Sequence, residues 1–307
     1  MVASEMPNTM VASTGFCVLR SNNIANNYLF HFTKSETFIN KLMSVAKGAS
    51  YPAVSNTDVY SLSIPLPPPE VQIKVAGILD SVTELLALRK QQLEELDVLI
   101  KSVFYEMFGE PVSNSRGWEI SLLGDLSRNI RYGTSTPPMF SDMGLCFIRA
   151  TNIKNGRISS DDMRFISETE AEKIKKCKLV KGDIIIVRSG VNTGDSCVIT
   201  ADYDGHYAGY DLILTPDSSF INAIFINELI NTVYMERVIK PLTRRAAQPH
   251  LNADQVSKLQ IIVPPLELQN KFADIVTQIE AQKALVKQSI DETQRLFDSL
   301  MSKYFDD

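Results

Sequence analysis

The sequence predicts a mixed α/β (α+β) globular body, two long helices that pair as an antiparallel coiled coil, and a partial second copy of the body at the N-terminus. Three observations predict this: a stretch that occurs twice, two seven-residue apolar stripes in each copy, and short apolar runs bounded by turns between the copies. The chain has 307 residues, 44% of them hydrophobic, enough for two globular bodies or one large one.

The repeat lies at an offset of 197 residues. Leu62 falls on Leu259, Ile64 on Ile261, and Pro67-Pro68 on Pro264-Pro265. Glu70, Gln72, Lys74, Ala76 and Ile78 fall on Glu267, Gln269, Lys271, Ala273 and Ile275, and Phe108 falls on Phe305. Upstream, Asn56 and Asp58 meet Asn252 and Asp254 with one residue of slippage, and GFCVLR from Gly15 weakly resembles GYDLIL from Gly209. A period this long is a duplicated domain plus helix, not a solenoid. The second copy runs from about residue 111 to 307, and the first has no equivalent of roughly residues 111–208.

Four segments follow: residues 1–66, an incomplete rear half of a first body; 67–110, the first long helix; 111–266, a complete body; and 267–307, the second long helix. In the first helix one stripe is Val75, Val82, Arg89, Leu96 and Val103, and the other is Leu79, Leu86, Leu93, Ile100 and Met107. In the second they are Phe272, Ile279, Val286, Thr293 and Leu300, and Val276, Lys283, Ile290, Phe297 and Tyr304. A seven-residue spacing over five heptads predicts coiled-coil packing, and two copies of one helix in one chain most simply pair with each other. Arg89, Thr293 and Lys283 interrupt the stripes, either to fix register or as rim residues with snorkelling stems. Prolines precede both helices, Glu70 and Glu267 complement the first-turn dipole, and Gly109 supplies a stop.

In residues 111–266, GLCFIRATNI, GDIIIVRSG, HYAGYDLILTP and SKLQIIVPP read as strands. INAIFINELINTVYMERVIKPL reads as a helix that ends near Pro241. Three loops combine guanidinium or amide groups with small residues: IRYGTSTPP, RSGVNTGDS and TRRAAQPHLN. Arginine reads guanine, Asn and Gln read adenine, and hydroxyls and backbone N–H groups bind phosphate. The loops nominate Arg131, Tyr132, Thr134, Ser135, Thr136, Arg188, Asn192, Arg244, Arg245, Gln248 and His250 as DNA contacts, with Arg149 and Asn152 from the FIRATNI stretch. The alternative is ordinary turn chemistry, with Arg131 and Arg188 in structural ion pairs. Arg244-Arg245 is the preferred phosphate contact.

The formal net charge of −5 argues against nucleic acid only on average. The acid surplus sits in the helices: eight acids to four bases over 67–110, and eight to five over 267–307. Residues 1–66 and 111–266 each carry one excess base, which leaves room for a basic face. The four cysteines lack a CxxC pair, which points to a reducing, cytoplasmic setting without zinc, and no apolar run reaches bilayer length. There is no Walker loop, GxGxxG after a strand, HExxH or amino-methyltransferase motif, and the three histidines lack ligand spacing. No catalytic residue is therefore nominated.

The junctions IPLPPPEVQIKVAGIL and IIVPPLELQNKFADIV, with WEISLLGDL, IRYGTSTPP, FIRATNIKNGRI, GDIIIVRSG and AAQPHLN, resemble the specificity subunits of type I restriction–modification systems. The resemblance covers nearly all of residues 111–307 and, from about residue 15 to 110, the back half of an earlier unit. It implies a non-catalytic subunit in which target-recognition domains each read half of a split site on double-stranded DNA. The helices act as a spacer ruler and dock methyltransferase (M) subunits. Leu79, Leu86, Leu93, Ile100, Ile279, Val286, Ile290 and Phe297 are the expected pairing and docking residues. No cofactor is expected in this chain. S-adenosylmethionine would bind the M subunits, and ATP and magnesium would serve a restriction (R) subunit. Because the first domain is incomplete, two alternatives stand: a homodimer with two complete readers, or a scaffold or decoy that binds M subunits without reading a bipartite site.

Overall fold

The computed structural model describes residues 13, 15–21, 23–48, 52–243 and 250–306. In chain order these form α1 (Asn26–Phe32), α2 (Glu36–Val45), α3 (Asn56–Tyr60) and α4 (Pro69–Phe108). Then come β1 (Glu119–Leu122), β2 (Ser127–Tyr132), β3 (Phe140–Ser141), β4 (Leu145–Ile148), β5 (Ile153–Lys154), β6 (Arg157–Ile158) and β7 (Arg164–Ile166). Next are α5 (Glu168–Lys173), β8 (Ile184–Ile186), β9 (Ser196–Val198), β10 (Tyr207–Ala208) and β11 (Leu212–Pro216). The chain continues through α6 (Ala223–Leu229), a wide-turn helix (Ile230–Ile239), α7 (Lys240–Thr243), α8 (Ala253–Ser257), β12 (Gln260–Val263) and α9 (Leu266–Phe305).

The chain divides into two compact units, one from Met1–Glu95 with Gln282–Asp307 and one from Leu96–Ala281. In the first unit the start of α4 packs on the end of α9, through Val75, Leu79, Met301 and Phe305. In the second, the end of α4 packs on the start of α9, through Ile100, Phe104, Phe108, Phe272, Val276 and Ile279. The helices are therefore antiparallel. Within the first unit the polar interruptions meet: Arg89 Nη1 donates to Ser289 O and Thr293 Oγ1. That favours register-setting, because the guanidinium has a specific carbonyl and hydroxyl across the seam. Gly109, at φ +75°, ends α4 in the left-handed conformation that a side chain resists.

The second unit carries an antiparallel sheet in the order β2-β11-β8-β9 and a mixed sheet in the order β10-β4-β7-β3, with β10 parallel to β4. Two strand pairs, β1-β12 and β5-β6, complete it. The all-apolar run of β8 reflects burial on both faces. Ile184 and Ile186 face the core that holds Phe225 and Phe272, while Ile185 and Val187 face a second core with Ile148, Leu179 and Ile213. The predicted helix from Ile221 departs from its expected form. It continues past Pro241 to Thr243 and is broken at Thr232, where Thr232 Oγ1 donates to Leu229 O (2.6 Å) and accepts from Tyr234 N (3.2 Å).

The repeat has a physical basis in two buried glutamines. Gln72 Nε2 donates to Pro67 O (2.8 Å) and Gln72 Oε1 accepts from Ala25 N (3.0 Å), just ahead of α1. Gln269 Nε2 donates to Pro264 O and Gln269 Oε1 accepts from Asn222 N, both at 2.8 Å, just ahead of α6. Each glutamine ties the proline turn to the start of a short helix, so α1 and α6 are equivalent at the same offset of 197. Capping boxes on α3 (Ser55 with Asp58) and α8 (Asn252 with Gln255) also keep that offset. The one-residue slippage read from Asn56 is thereby corrected: Ser55, not Asn56, stands opposite Asn252.

Candidate nucleic-acid interface

Strand register brings the polar loops of the second unit together. Leu212 on β11 pairs with both Tyr132 on β2 and Ile186 on β8, so the strand ends converge on one end of the sheet. There the Arg188 guanidinium is held against two rings, 4.6 Å from the centroid of Tyr132 and 4.1 Å from that of Tyr210. Such contacts orient the cation and contribute roughly 0.5–2 kcal/mol. Arg188 Nη2 lies 3.2 Å from His250 Nε2, and its Nε is buried without a partner among the described residues. The backbone fixes the same group: Arg188 N donates to Asp211 Oδ1 (3.2 Å), and Arg188 O accepts from Leu251 N (2.8 Å). Tyr132 and Tyr210 stay 41% and 43% exposed, so the clamp opens to solvent.

Asp211 is 3% exposed. Burial pushes its carboxyl up to about 6, against the opposing pull of hydrogen bonds from Arg188 N and Ala150 N and the charge of Arg188. Beside it, Gly133 N donates to Asp211 O (2.9 Å), and a Cβ on Gly133 would stand 1.7 Å from Gly209 O. Only glycine lets the IRYGTSTPP loop leave β2 on this path. In that loop Thr134 Oγ1 donates to Thr136 O (2.8 Å), while Ser135 and Thr136 are exposed.

The other arginines have different surroundings. Arg131 donates to Thr215 Oγ1 (2.8 Å), Lys178 O (2.9 Å) and Asp183 Oδ2 (2.8 Å). Asp183 is buried and also accepts from Thr215 Oγ1 (2.6 Å), so Arg131 is the cation of an internal knot, the ion-pair alternative. Arg149 Nη2 binds Asp162 Oδ2 (2.9 Å). Asn152 is fully buried, accepting from Arg149 N (3.1 Å) and donating to Asp161 O (2.9 Å), so it shapes its loop from within. Asn192 is half-buried in a turn whose tip, Val191, is 98% exposed. Arg244, Arg245 and Gln248 lie outside the described residues. Tyr210, Asp183 and Asp211 escaped the sequence reading. The one signal was an acid beside each of two apolar runs, GDIIIV and GYDLIL.

Of the helix residues, Leu79, Leu86, Ile100 and Ile279 are buried, and Leu93, Val286, Ile290 and Phe297 are half-buried. Among the described residues no helix is long and apolar enough to cross a membrane.

Comparison with known proteins bears on both units. The sequence model of the type I restriction modification DNA specificity domain matches residues 5–98 and 116–295. The chain is 23% identical to the type I restriction enzyme MjaIX specificity subunit of Methanocaldococcus jannaschii, over 96% of this chain and 72% of that protein. It is 27% identical to the EcoKI specificity subunit of Escherichia coli K12, over 56% of this chain and 40% of that one. The S subunit of a type I restriction–modification system from M. genitalium shares the fold, with a TM-score of 0.62 at 16% identity over 93% of this chain and 74% of that one. With the match extending across most of both units, the chain belongs to the family of type I restriction–modification DNA specificity subunits.

Proposed function

We propose that this chain reads double-stranded DNA for a type I restriction–modification system and catalyses nothing itself. Family membership carries the reading, and the Arg188 clamp supports it at the level of residues. A guanidinium held by two rings at a solvent-open strand end offers a rigid fork for a guanine edge. Ser135, Thr136 and the 244–249 segment supply phosphate contacts, and Arg131, Arg149 and Asn152 position the loops. Methyltransferase and restriction subunits, docked on the long helices in the cytoplasm, bring the S-adenosylmethionine, ATP and magnesium chemistry.

The test is co-expression with the cognate methyltransferase, followed by sequencing of modified bases. A split, methylated motif is expected; a stable complex without methylation would overturn the reading. Arg188→Ala should lower specific affinity by about 10-fold or more, with little change in non-specific affinity. Arg244→Ala with Arg245→Ala should weaken binding to all sequences and flatten its salt dependence.

A further inference from the structure

A ring face attracts a cation without a directional partner. Contacts with Tyr132 and Tyr210 therefore hold the Arg188 guanidinium in place but leave the aim of its N–H groups open. One directional contact aims it: Arg188 Nη2 donates to His250 Nε2 (3.2 Å). A guanidinium has N–H donors and no acceptor, so the imidazole has to be the acceptor. His250 Nε2 then carries a lone pair, and the ring proton sits on Nδ1.

The backbone around His250 is fastened to the same two clamp residues. Ser189 and His250 form an antiparallel bridge, and Leu251 N donates to Arg188 O (2.8 Å). Ala253 N donates to Tyr132 Oη (3.0 Å). Leu251 is fully buried, and Asn252 caps α8 together with Gln255. The segment 250–253 cannot drift from the clamp without breaking these bonds, so the imidazole is delivered to the edge of the guanidinium by a fixed support.

We propose that His250 is a positioning residue for Arg188 and not itself a contact to DNA: it accepts one N–H of Nη2 and so aims the remaining N–H groups of Nη1 and Nη2, as a pair, at a guanine edge. The proposal rests on the reading of Arg188 as the guanine fork. It separates His250 from the direct contact that the sequence nominates. The gain is pre-organisation, because an unaimed guanidinium loses its freedom only when the base binds, and that cost lowers specific affinity. Gln offers a carbonyl oxygen at nearly the reach of Nε2 and can take this place, whereas Leu cannot.

The test uses the complex with the cognate methyltransferase. It measures the ratio of affinities for a duplex carrying the methylated motif and for a scrambled duplex. His250→Leu is expected to lower this ratio by about 3–10-fold, and His250→Gln to keep it within about twofold. In an Arg188→Ala background His250→Leu should have no further effect beyond about twofold, since its action passes through Arg188. A direct DNA contact would add its own loss in that background, and a merely structural defect would weaken scrambled DNA equally. Either result overturns the proposal. Loss on Arg188→Ala without loss on His250→Leu overturns this proposal alone, whereas a ratio unmoved by Arg188→Ala overturns the reading of Arg188 and the proposal with it.

The unaltered chain gives an independent check. Of its three histidines, His206 accepts through Nδ1, from Cys146 N (3.0 Å). Imidazole nitrogen NMR spectra under mildly alkaline conditions should therefore show opposite tautomers, with the bare nitrogen at Nε2 in His250 and at Nδ1 in His206. A proton on Nε2 of His250 would overturn the proposal.

Discussion

At the scale of single residues, two of the buried acids of the second unit, Asp211 and Asp183, have opposite consequences. Asp211 has its carboxyl raised to about 6 by burial. Between its ordinary unfolded value near 3.8 and 6, the folded state holds a proton that the unfolded state releases. Stability therefore falls as pH rises through this window, by about 2–3 kcal/mol from this group. Asp211→Asn keeps an acceptor for Arg188 N and should flatten the slope. Thermal unfolding from pH 4 to 8 checks this, and an unchanged slope in the variant would refute the burial argument. Asp183 is different because Arg131 answers its charge. Arg131→Ala strands a buried carboxylate and should cost about 3–5 kcal/mol in urea unfolding. Replacing both by apolar residues of similar volume should cost much less, because no charge is then left alone.

At the scale of elements, the glutamine bridges and the Arg89 contact explain how the long helices are held at their ends and seam. Gln72→Leu should leave Ala25 N–H and Pro67 O without a partner, at about 2 kcal/mol, and Gln269→Leu should do the same at Asn222 and Pro264. Arg89→Leu continues the apolar stripe, so the predicted change in stability is small and the predicted loss is of unique register. Cross-linking between cysteines placed along the two helices would detect that loss as mixed pairings. Leu93→Glu and Ile100→Glu put charges into the seam and should lower helix content on heating well below that of the parent. Retained melting by circular dichroism would count against the pairing. These elements were largely legible in the sequence. The stripes, prolines and Gly109 are local signals, and helix pairing only has to bury what periodicity already aligns. The break at Thr232 was not legible, because it depends on the Thr232 hydroxyl bridging Leu229 O and Tyr234 N, a choice no periodicity reveals.

At the scale of the whole molecule, the proposed roles separate cleanly. Clamp variants such as Arg188→Ala should lose sequence recognition and still co-purify with methyltransferase subunits, while seam variants should lose co-purification first. Equal loss of both in either variant would mean that reader and helices are not functionally distinct. By itself the sequence determined the duplication at 197 residues, the antiparallel helices, the α/β character of residues 111–266 and the family they resemble. Each of these rests on spacing along the chain, which short-range geometry converts directly into faces, caps and strands. Only the tertiary structure decided which polar groups are tied down and which remain available. Arg131 and Arg188 look alike as loop arginines, yet Asp183 lies 52 positions from the first, while from the second Tyr210 lies between β10 and β11 and His250 lies 62 positions away. Hydrogen-bond partners and burial come from residues distant in sequence, so the difference between a cation paired with a buried carboxylate and a half-buried one held between two rings appears only when the strands are in register.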